Sequence, residues 1–168
     1  MKAALPVYMI GHSKHPWPKF VELLALHKIK RVIDVRTNPQ SRFCPQFNKK
    51  AMQANLGLVL YDHINELGGK NPLPVDLLRM HVAKLLPPPL RICMMCSEGN
   101  FLDCHRHYLL SPLVIELGYE VLQIQPDGSL VKDTGPTPAT LHKMAAFLPA
   151  APGAPSQTEL FEDRRAHV

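Results

Sequence analysis

Long apolar runs and a secretory leader are absent from this sequence. No stretch of apolar residues approaches the roughly 20 residues that a membrane-spanning helix needs. Residues 1–6 form too short a segment, and one too soon interrupted by proline, to act as a signal peptide. We therefore expect a cytoplasmic protein that does not associate with a membrane.

The sequence also lacks a disulfide framework and a decisive excess of charge. Its 168 residues include only four cysteines, whereas disulfide-stabilised secreted domains are short and rich in cysteine. Free thiols, metal ligation and catalysis are therefore the interpretations to compare. The formal net charge of +5 is compatible with a phosphate-bearing partner, but also with an ordinary basic surface.

What the sequence does contain is a regular alternation of strand and helix patterns. A hydrophobic content of 46% suits one globular domain. We predict a single Rossmann-like, three-layer α/β domain with a mostly parallel sheet, and the turn Pro126-Asp127-Gly128 predicts an antiparallel hairpin at its edge. The predicted strands are 6–10, 31–36, 58–61, 90–95, 121–124 and 130–131, and the predicted helices begin near Pro18 and cover 49–56, 75–86 and 105–117.

The C-terminal part of the chain has a different composition. Beyond Lys132 the sequence turns to proline, alanine, threonine and glycine, with one helical pattern around 138–147 and then a linker-like segment. We predict an α/β domain over residues 1–132. Residues 133–168 are expected to form a helical segment followed by a flexible tail.

Polar side chains follow three of the predicted strands. Because the carboxyl ends of parallel strands share one edge of a sheet, these segments should meet around one ligand. Arg36 and Arg106 would supply guanidinium groups for a phosphate or carboxylate. The alternative is that Asp34 and Arg36 form a structural ion pair. The three segments are 11–13, 34–36 and 96–106.

The cysteines admit a metal-binding interpretation. Cys93 and Cys96 have the spacing of a zinc knuckle, but positions three apart on a strand point to opposite faces, so we expect Cys93 in the core. Cys96 and Cys104 could instead bind zinc, which prefers thiolate and imidazole ligands. The imidazoles available for such a site are those of His105, His12 and His107.

A second interpretation makes Cys96 or Cys104 a nucleophile. Its thiolate would be stabilised by His105, Arg106 and the N-terminus of the following helix. A third is that both cysteines are small buried residues beside a loop. Rhodaneses and cysteine phosphatases wrap an anion with a Cys-x5-Arg loop, which this sequence lacks because Arg106 lies two residues after Cys104 and ten after Cys96.

Six short motifs occur together and in order along the chain. They are Ile10-Gly11-His12-Ser13, Asp34-Val35-Arg36 with Asn38-Pro39, Phe47-Asn48, Glu66-Leu67-Gly68-Gly69, Cys96-Ser97-Glu98 and Cys104-His105-Arg106. Together they resemble the domain of unknown function 488 family across about residues 7–131. The resemblance implies a compact α/β domain and does not imply a reaction. The candidate site residues that fall in the family's motifs are Gly11, His12, Ser13, Asp34, Arg36, Cys96, Glu98, Cys104, His105 and Arg106.

The tail carries a short motif, Gln157-Thr158-Glu159-Leu160-Phe161. It resembles the bacterial peptides that bind a DNA sliding clamp, in which Leu and Phe enter an apolar pocket and Gln makes polar contacts. At about 25 cal/mol per Å² buried, two apolar side chains would support weak, reversible docking. The alternatives are a solvated tail or a tail that docks on its own domain.

These patterns predict an enzyme of nucleic-acid metabolism with an anion-binding Cys/His/Arg site at the strand ends. A nucleic acid or nucleotide is the expected ligand. Two alternatives stay open, a non-catalytic nucleic-acid-associated binding module and a cysteine-dependent sulfur or phosphate transferase. The expected roles are anion binding by Arg36 and Arg106, proton transfer by His12 or Glu98, and nucleophilic or metal-binding work by Cys96 or Cys104.

Replacing both Leu160 and Phe161 with alanine should weaken binding of the full chain to a bacterial sliding clamp at least roughly tenfold, since each loses about 1.5 kcal/mol or more of apolar burial. Surface plasmon resonance measures the affinity. Thr158→Ala, at an unconstrained position of the motif, is the matched control and should bind as the wild type does. Unchanged binding by the double variant would show that this segment is not the anchor.

Overall fold

A computed structural model describes residues 4–70, 72–87, 89–140, 142, 143 and 147. It contains a six-stranded sheet in the order β3-β2-β4-β1-β5-β6, in which every neighbouring pair is parallel except β5 and β6. The predicted mostly parallel sheet with an antiparallel edge is therefore confirmed. The strands are β1 (Val7–Gly11), β2 (Arg31–Asp34), β3 (Leu60–His63), β4 (Ile92–Cys96), β5 (Val121–Ile124) and β6 (Leu130–Asp133).

Helices cover both faces of the sheet, as the alternating pattern predicted. None of them, within the residues the structure describes, has the length and apolar character to cross a membrane. Short 3₁₀ turns cover Pro45–Phe47, Asn65–Leu67 and Phe101–Asp103. The helices are α1 (Trp17–Leu26), α2 (Lys49–Asn55), α3 (Val75–Ala83) and α4 (Ser111–Glu116).

Alternation along the central strands divides the core into two layers. Met9, Ile33 and Met94 face the layer that contains α3 and α4. Cys93 and its strand neighbour Met95 face the opposite layer, which contains α1 and α2. Cys93 is fully buried there, as the strand period predicted, whereas Cys96 packs in the first layer. The two cysteines therefore lie on different sides of the sheet and cannot share a ligand.

Several predicted strand boundaries differ by one or two residues from those of the structure. The third strand begins at Leu60 rather than at Leu58, because Gly57 takes a left-handed conformation with φ +62° and places Leu58 in an exposed turn. The fourth strand begins at Ile92 and extends through Cys96, one residue further than predicted. Cys96 is therefore held by sheet pairing to Gly11 rather than by a free loop.

The predicted helix over 105–117 has two parts. Arg106–Leu110 forms a π-helical turn, and α4 follows it directly. Pro112 has no N–H to donate to the carbonyl four residues before it, and the N–H of Ser111 bonds instead to the carbonyl of Arg106, five residues back. The wider turn rotates the first residues after the cysteine loop relative to those of a regular helix.

Asp133 at the end of β6 ties the edge hairpin to this helix. Its carboxylate accepts hydrogen bonds from His107 Nδ1 at 2.9 Å, Ser111 Oγ at 2.7 Å and Gln123 Nε2 at 2.8 Å. Burial opposes ionisation of Asp133, but these donors outweigh it, so the pKa of Asp133 is lower than usual. The hairpin is thus anchored by a charge buried among hydrogen-bond donors.

The predicted tail lies mostly outside the described residues. Of the helical pattern around 138–147, residues 141 and 144–146 are not described, and the rest forms turns. Gln157, Leu160 and Phe161, which were predicted to bind a clamp, lie outside the described residues as well. Clamp binding therefore stays a prediction.

Asp133→Asn should lower the free energy of unfolding by about 3 kcal/mol, because it weakens several buried hydrogen bonds to a carboxylate and leaves donors without a matching acceptor. A depressed folded-state pKa stabilises the protein above the unfolded value of Asp133, and this stabilisation disappears as the pH falls through the folded value. Urea denaturation at several pH values measures both effects. Lys132→Ala, which removes a solvent-exposed ion pair with Glu120, is the control and should cost under about 1 kcal/mol. Equal losses in both variants would contradict the anchor.

Candidate functional site

The loops after β1 and β4 are joined by backbone hydrogen bonds at the carboxyl edge of the sheet. The N–H of His12 donates to the carbonyl of Cys96, and the N–H of Ser13 donates to that of Ser97, both at 2.9 Å. Gly11 permits this approach, because a Cβ there would lie 1.7 Å from the carbonyl oxygen of Glu98. The convergence predicted from the strand ends is therefore present, and Gly11 is needed for space; ligand binding by Gly11 stays a prediction.

A cavity of about 390 Å³ opens where the three predicted segments meet. Its size is that of a small-molecule site. The candidate residues His12, Arg36, Cys96, Glu98, Cys104 and His105 all line it, together with Thr37, Asn38, Gln40, Ser41, Gly69, Lys70, Ser97, Asp103 and Phe147.

Two sulfur atoms and one imidazole form a tight cluster on the cavity wall. Cys104 Sγ donates to Cys96 Sγ at 3.1 Å, and His105 Nδ1 lies 3.6 Å from Cys96 Sγ and 3.7 Å from Cys104 Sγ. The three side chains are between 94% and 99% buried, so the cavity is their route to solvent. Residues 96–104 form a loop, and the sulfurs of its first and last residues are in contact.

His105 packs closely against Gly69, which the sequence marked only as part of the motif Glu66-Leu67-Gly68-Gly69. A Cβ on Gly69 would lie 2.6 Å from Cβ and Cγ of His105 and 2.8 Å from its Nδ1. The backbone of Gly69 thus packs flat against the imidazole. His105 Nε2 is buried and has no hydrogen-bond partner among the described residues. The ring therefore keeps one polar atom free beside the cavity.

The hydrogen bonds of the cluster give the two cysteines different protonation states. The Cys104 S–H bond lowers the pKa of Cys96 well below that of an ordinary thiol, and His105 and the N–H of Glu98 act in the same direction against the effect of burial. Burial, together with the adjacent charge of Cys96, raises the pKa of Cys104. Cys96 is therefore the more readily ionised thiol of the pair, and Cys104 is the one that keeps its proton.

Cys96, Cys104 and His105 are also the set of side chains, within the described part of the chain, that could share a metal ion. The chemistry of the donors suits zinc. Two thiolates bound tetrahedrally at about 2.3 Å from zinc lie about 3.8 Å apart, so these sulfurs, which are 3.1 Å apart, would have to separate by about 0.7 Å to bind it. The predicted additional imidazole ligands are engaged elsewhere, His12 by Arg36 and His107 by Asp133.

Arg36 contributes a buried, oriented charge to the opposite side of the cavity. Its guanidinium forms a bidentate pair with Asp34, at 2.8 Å from Nε to Oδ1 and 2.6 Å from Nη2 to Oδ2, and Nη2 also donates to the carbonyl of Phe47. Burial opposes the charge of Arg36, but the hydrogen bonds and charge of Asp34 outweigh it and raise its pKa. The predicted structural ion pair and the predicted cavity position of Arg36 are thus both present.

Tyr61 and His12 hold the Arg36–Asp34 pair in place. Tyr61 donates from its hydroxyl to Asp34 Oδ2 at 2.6 Å, and burial raises the pKa of Tyr61, so the donor stays protonated. Arg36 Nη1 donates to His12 Nε2 at 3.1 Å, while His12 Nδ1 donates to the carbonyl of Ser13. Tyr61 has no sequence signal of its own, since a tyrosine near the end of a strand is ordinary.

His12 is a neutral side chain in this arrangement. Burial lowers its pKa to about 4, and the charge of Arg36 acts in the same direction. Its ring stacks on Phe47 with centroids 4.4 Å apart. The predicted proton transfer by His12 stays a prediction, and the structure gives its Nε2 lone pair the role of orienting Arg36.

Arg106 does not line the cavity. It is 1% exposed, and its guanidinium donates to Gln123 Oε1 at 3.0 Å and to the carbonyl of Glu98 at 2.7 Å. A longer contact of 3.4 Å reaches the carbonyl of Gly99. These protein acceptors occupy the donors that were expected to meet an anion, so ligand binding by Arg106 stays a prediction without support from this geometry. The sequence indicates a buried arginine poorly, because its acceptors are backbone carbonyls.

The remaining candidates lie at the rim or behind it. Glu98 is exposed and accepts a hydrogen bond from Ser97 at 3.3 Å, so its carboxylate faces the cavity mouth beside Lys70. Ser13 adopts a positive φ of 47° and is not among the lining residues. Lys70 was missed by sequence reasoning, because a lysine after two glycines has no distinguishing pattern.

Comparison with known proteins adds one finding. Residues 16–81 match the family described as domain of unknown function DUF488, which confirms the predicted resemblance over that segment. The matched segment contains Asp34, Arg36 and Gly69, whereas Cys96 and the rest of the cysteine loop lie beyond it. No curated protein and no solved structure matches the chain.

Cys104→Ala should raise the pKa of Cys96, because the thiolate loses the S–H that stabilises it. Thiolate absorbance in the ultraviolet, followed against pH, should begin well below the range of an ordinary thiol in the wild type and move toward that range in the variant. Cys93→Ala is the control, since burial raises the pKa of Cys93 and keeps it protonated. An identical titration in the wild type and Cys104→Ala would contradict the assigned hydrogen bond.

Proposed function

We propose that this protein is a cysteine-dependent enzyme in which the Cys96 thiolate attacks a small anionic substrate held in the cavity by Arg36. The observation that carries the proposal is the hydrogen bond of 3.1 Å from Cys104 to Cys96 at the wall of a small-molecule-sized cavity. A thiolate is the reactive form of cysteine, and this one is stabilised where a substrate can reach it.

The position of Cys96 supports nucleophilic rather than purely structural use. Cys96 is the last residue of β4, where parallel α/β sheets commonly bind ligands. A structural cysteine buried in apolar surroundings stays protonated, as Cys93 does on the other face of the same strand. The contrast between the two cysteines arises from the donors around Cys96, so it is specific to the cavity side.

Arg36 supports an anionic substrate. Its guanidinium has five N–H bonds. Four of them donate to acceptors on Asp34, Phe47 and His12. The remaining N–H belongs to Nη1, on a residue that lines the cavity. A guanidinium held this firmly is pre-organised for one acceptor, and it loses no conformational freedom when a ligand arrives.

The other polar groups fit supporting roles in the same proposal. Glu98 at the rim is available to exchange a proton with solvent or with a leaving group. Lys70 adds a second cation at the cavity mouth, which favours entry of anions. The placement of this chemistry in nucleic-acid metabolism depends on the tail segment 157–161 and stays part of the proposal.

A pair of alkylating reagents that differ only in charge tests the proposal. Iodoacetate and iodoacetamide present the same electrophilic carbon, so the ratio of their rates at Cys96, divided by the ratio for a free thiol, reports anion recruitment. We expect this normalised ratio to favour iodoacetate about tenfold in the wild type. Peptide mass spectrometry identifies the modified cysteine.

Two variants separate recruitment by Arg36 from general basicity. Arg36→Lys keeps a cation beside Asp34 but removes the guanidinium N–H, so the normalised ratio should fall toward one. Arg42→Lys is the matched control in the same loop, since Arg42 stacks over Phe43 and does not line the cavity. If Arg36→Lys does not fold, protection of wild-type Cys96 from iodoacetamide by sulfate provides the same information. Reaction of Cys96 no faster than a denatured-state thiol would refute the proposal.

A further inference from the structure

We propose that Cys96 and Cys104 form a redox-active dithiol that reduces a small, negatively charged disulfide, with Cys96 as the attacking sulfur and Cys104 as the resolving one. This inference rests on the proposed function, since it requires nucleophilic attack by Cys96. It goes further by naming the class of electrophile, which is disulfide sulfur rather than carbon or phosphorus.

The placement of the second thiol distinguishes this chemistry from acyl or phosphoryl transfer. In those reactions a covalent adduct on cysteine is removed by water or by a second substrate, and a second thiol in contact with the first has no part. Here Cys104 Sγ already points its proton at Cys96 Sγ from 3.1 Å. Formation of a disulfide needs the sulfurs to close by only about 1 Å, to about 2.05 Å.

The two cysteines are held by elements that permit this closure. Cys96 belongs to β4 and is paired with Gly11 in the sheet, so its backbone is fixed. Cys104 follows the short 3₁₀ turn Phe101–Asp103, at the far end of the loop. Adjustment of the loop can therefore bring Cys104 to a stationary Cys96 without disturbing the sheet.

The reaction has two balanced steps. First, the Cys96 thiolate attacks one sulfur of the substrate R–S–S–R, forms the mixed disulfide Cys96–S–S–R, and releases the thiolate R–S⁻. Second, Cys104 attacks the sulfur of Cys96, the Cys96–Cys104 disulfide forms, and R–SH leaves with the proton of Cys104. The dithiol is oxidised by two electrons and the substrate disulfide is reduced to two thiols.

The hydrogen bond between the sulfurs gives these steps their order. While Cys96 is a thiolate, Cys104 is held protonated as its donor and does not compete for the substrate. Once Cys96 carries the mixed disulfide, its negative charge is gone and Cys104 loses its charged acceptor. Cys104 is thus released for attack only when there is an adduct to resolve.

The cavity selects a small anion as the substrate. Cys96 and Cys104 are 4% and 1% exposed, so a disulfide on the surface of a folded protein cannot reach them. A cavity of about 390 Å³ admits a small molecule. Two carboxylates also line the cavity, but Asp103 is paired with Lys143, and Lys70 offsets the charge of Glu98. The available N–H of Arg36 is therefore the contact that favours a ligand with a carboxylate.

Dithiobis-nitrobenzoate, a coloured disulfide with two carboxylates, is the probe for a single-turnover experiment on the reduced full-length protein. The wild type should release two equivalents of coloured thiol from the pair, and peptide mapping should find a Cys96–Cys104 disulfide with no retained probe. Cys104→Ser should release one equivalent and keep the probe on Cys96. Cys44→Ser, which alters a cysteine outside the cavity, is the control and should match the wild type.

Each outcome of this experiment decides one point. Failure of Cys96 to react at all would overturn both the proposed function and the dithiol. Reaction that leaves the probe on Cys96 in the wild type would overturn the dithiol alone and leave the proposed function standing. Zinc bound in one equivalent by the wild type and lost in Cys104→Ser would show that the sulfurs are ligands, and would also overturn the dithiol.

Charge selectivity is tested with three disulfides of similar size, which are dithiodipropionate, bis-hydroxyethyl disulfide and cystamine. After division by their rates with a free thiol, the anionic compound should oxidise the pair roughly tenfold faster than the cationic one, with the neutral one between them. High salt should reduce this preference. Equal normalised rates for all three would overturn the assignment of a negatively charged substrate.

Discussion

The buried guanidinium of Arg106 is the constraint on which the cysteine loop depends. It spans from Gln123 on β5 to the carbonyls of Glu98 and Gly99. Buried backbone carbonyls need hydrogen-bond partners, and a single arginine supplies them here with charge-assisted bonds. Because Gln123 is itself bonded to Asp133, the loop is connected to the edge hairpin and to the helix through one polar network. The loop between the two cysteines is therefore anchored, at Glu98 and Gly99, by side chains that do not line the cavity.

The charged groups of the site are buried, and they are balanced against one another. The bidentate pair with Asp34 compensates the charge of Arg36, and the Tyr61 hydroxyl donates a further hydrogen bond to the Asp34 carboxylate. A cation neutralised in this way costs less to bury, but it also attracts an anion less strongly than a free one. Neutral His12 avoids a second buried charge beside it. The arrangement favours selection of a ligand by geometry over strong, unselective attraction.

The sequence predicted the course of the backbone better than it predicted the contacts of the side chains. The alternation of strand and helix patterns predicted the strands and the mostly parallel sheet, and the strand period placed Cys93 in the core, because burial leaves a periodic trace in the sequence. The convergence of His12, Arg36 and Cys96 followed from topology alone. The role of Arg106 did not, since two of its acceptors are backbone carbonyl groups that every residue has. Gly69 stood out only as part of a motif, whereas its use is contact with His105, a relation between distant segments that no local pattern encodes. The π-helical turn depends on the N–H that Pro112 lacks. The sequence pattern alone does not separate such a proline from one in the first turn of an ordinary helix.

The burial of the sulfurs limits what can react with them. An exposed thiolate reacts with any electrophile in solution, and its lifetime is short. Here the hydrogen bond that lowers the pKa of Cys96 also holds the proton on Cys104, so one proton serves both sulfurs. The imidazole of His105 lies within 3.7 Å of both sulfurs, and Gly69 packs against that imidazole. Under the proposed function, reaction would be confined to what the cavity admits, and the loop between the two cysteines would bring Cys104 to Cys96. Selection of the substrate and completion of the chemistry would then both depend on this one buried loop.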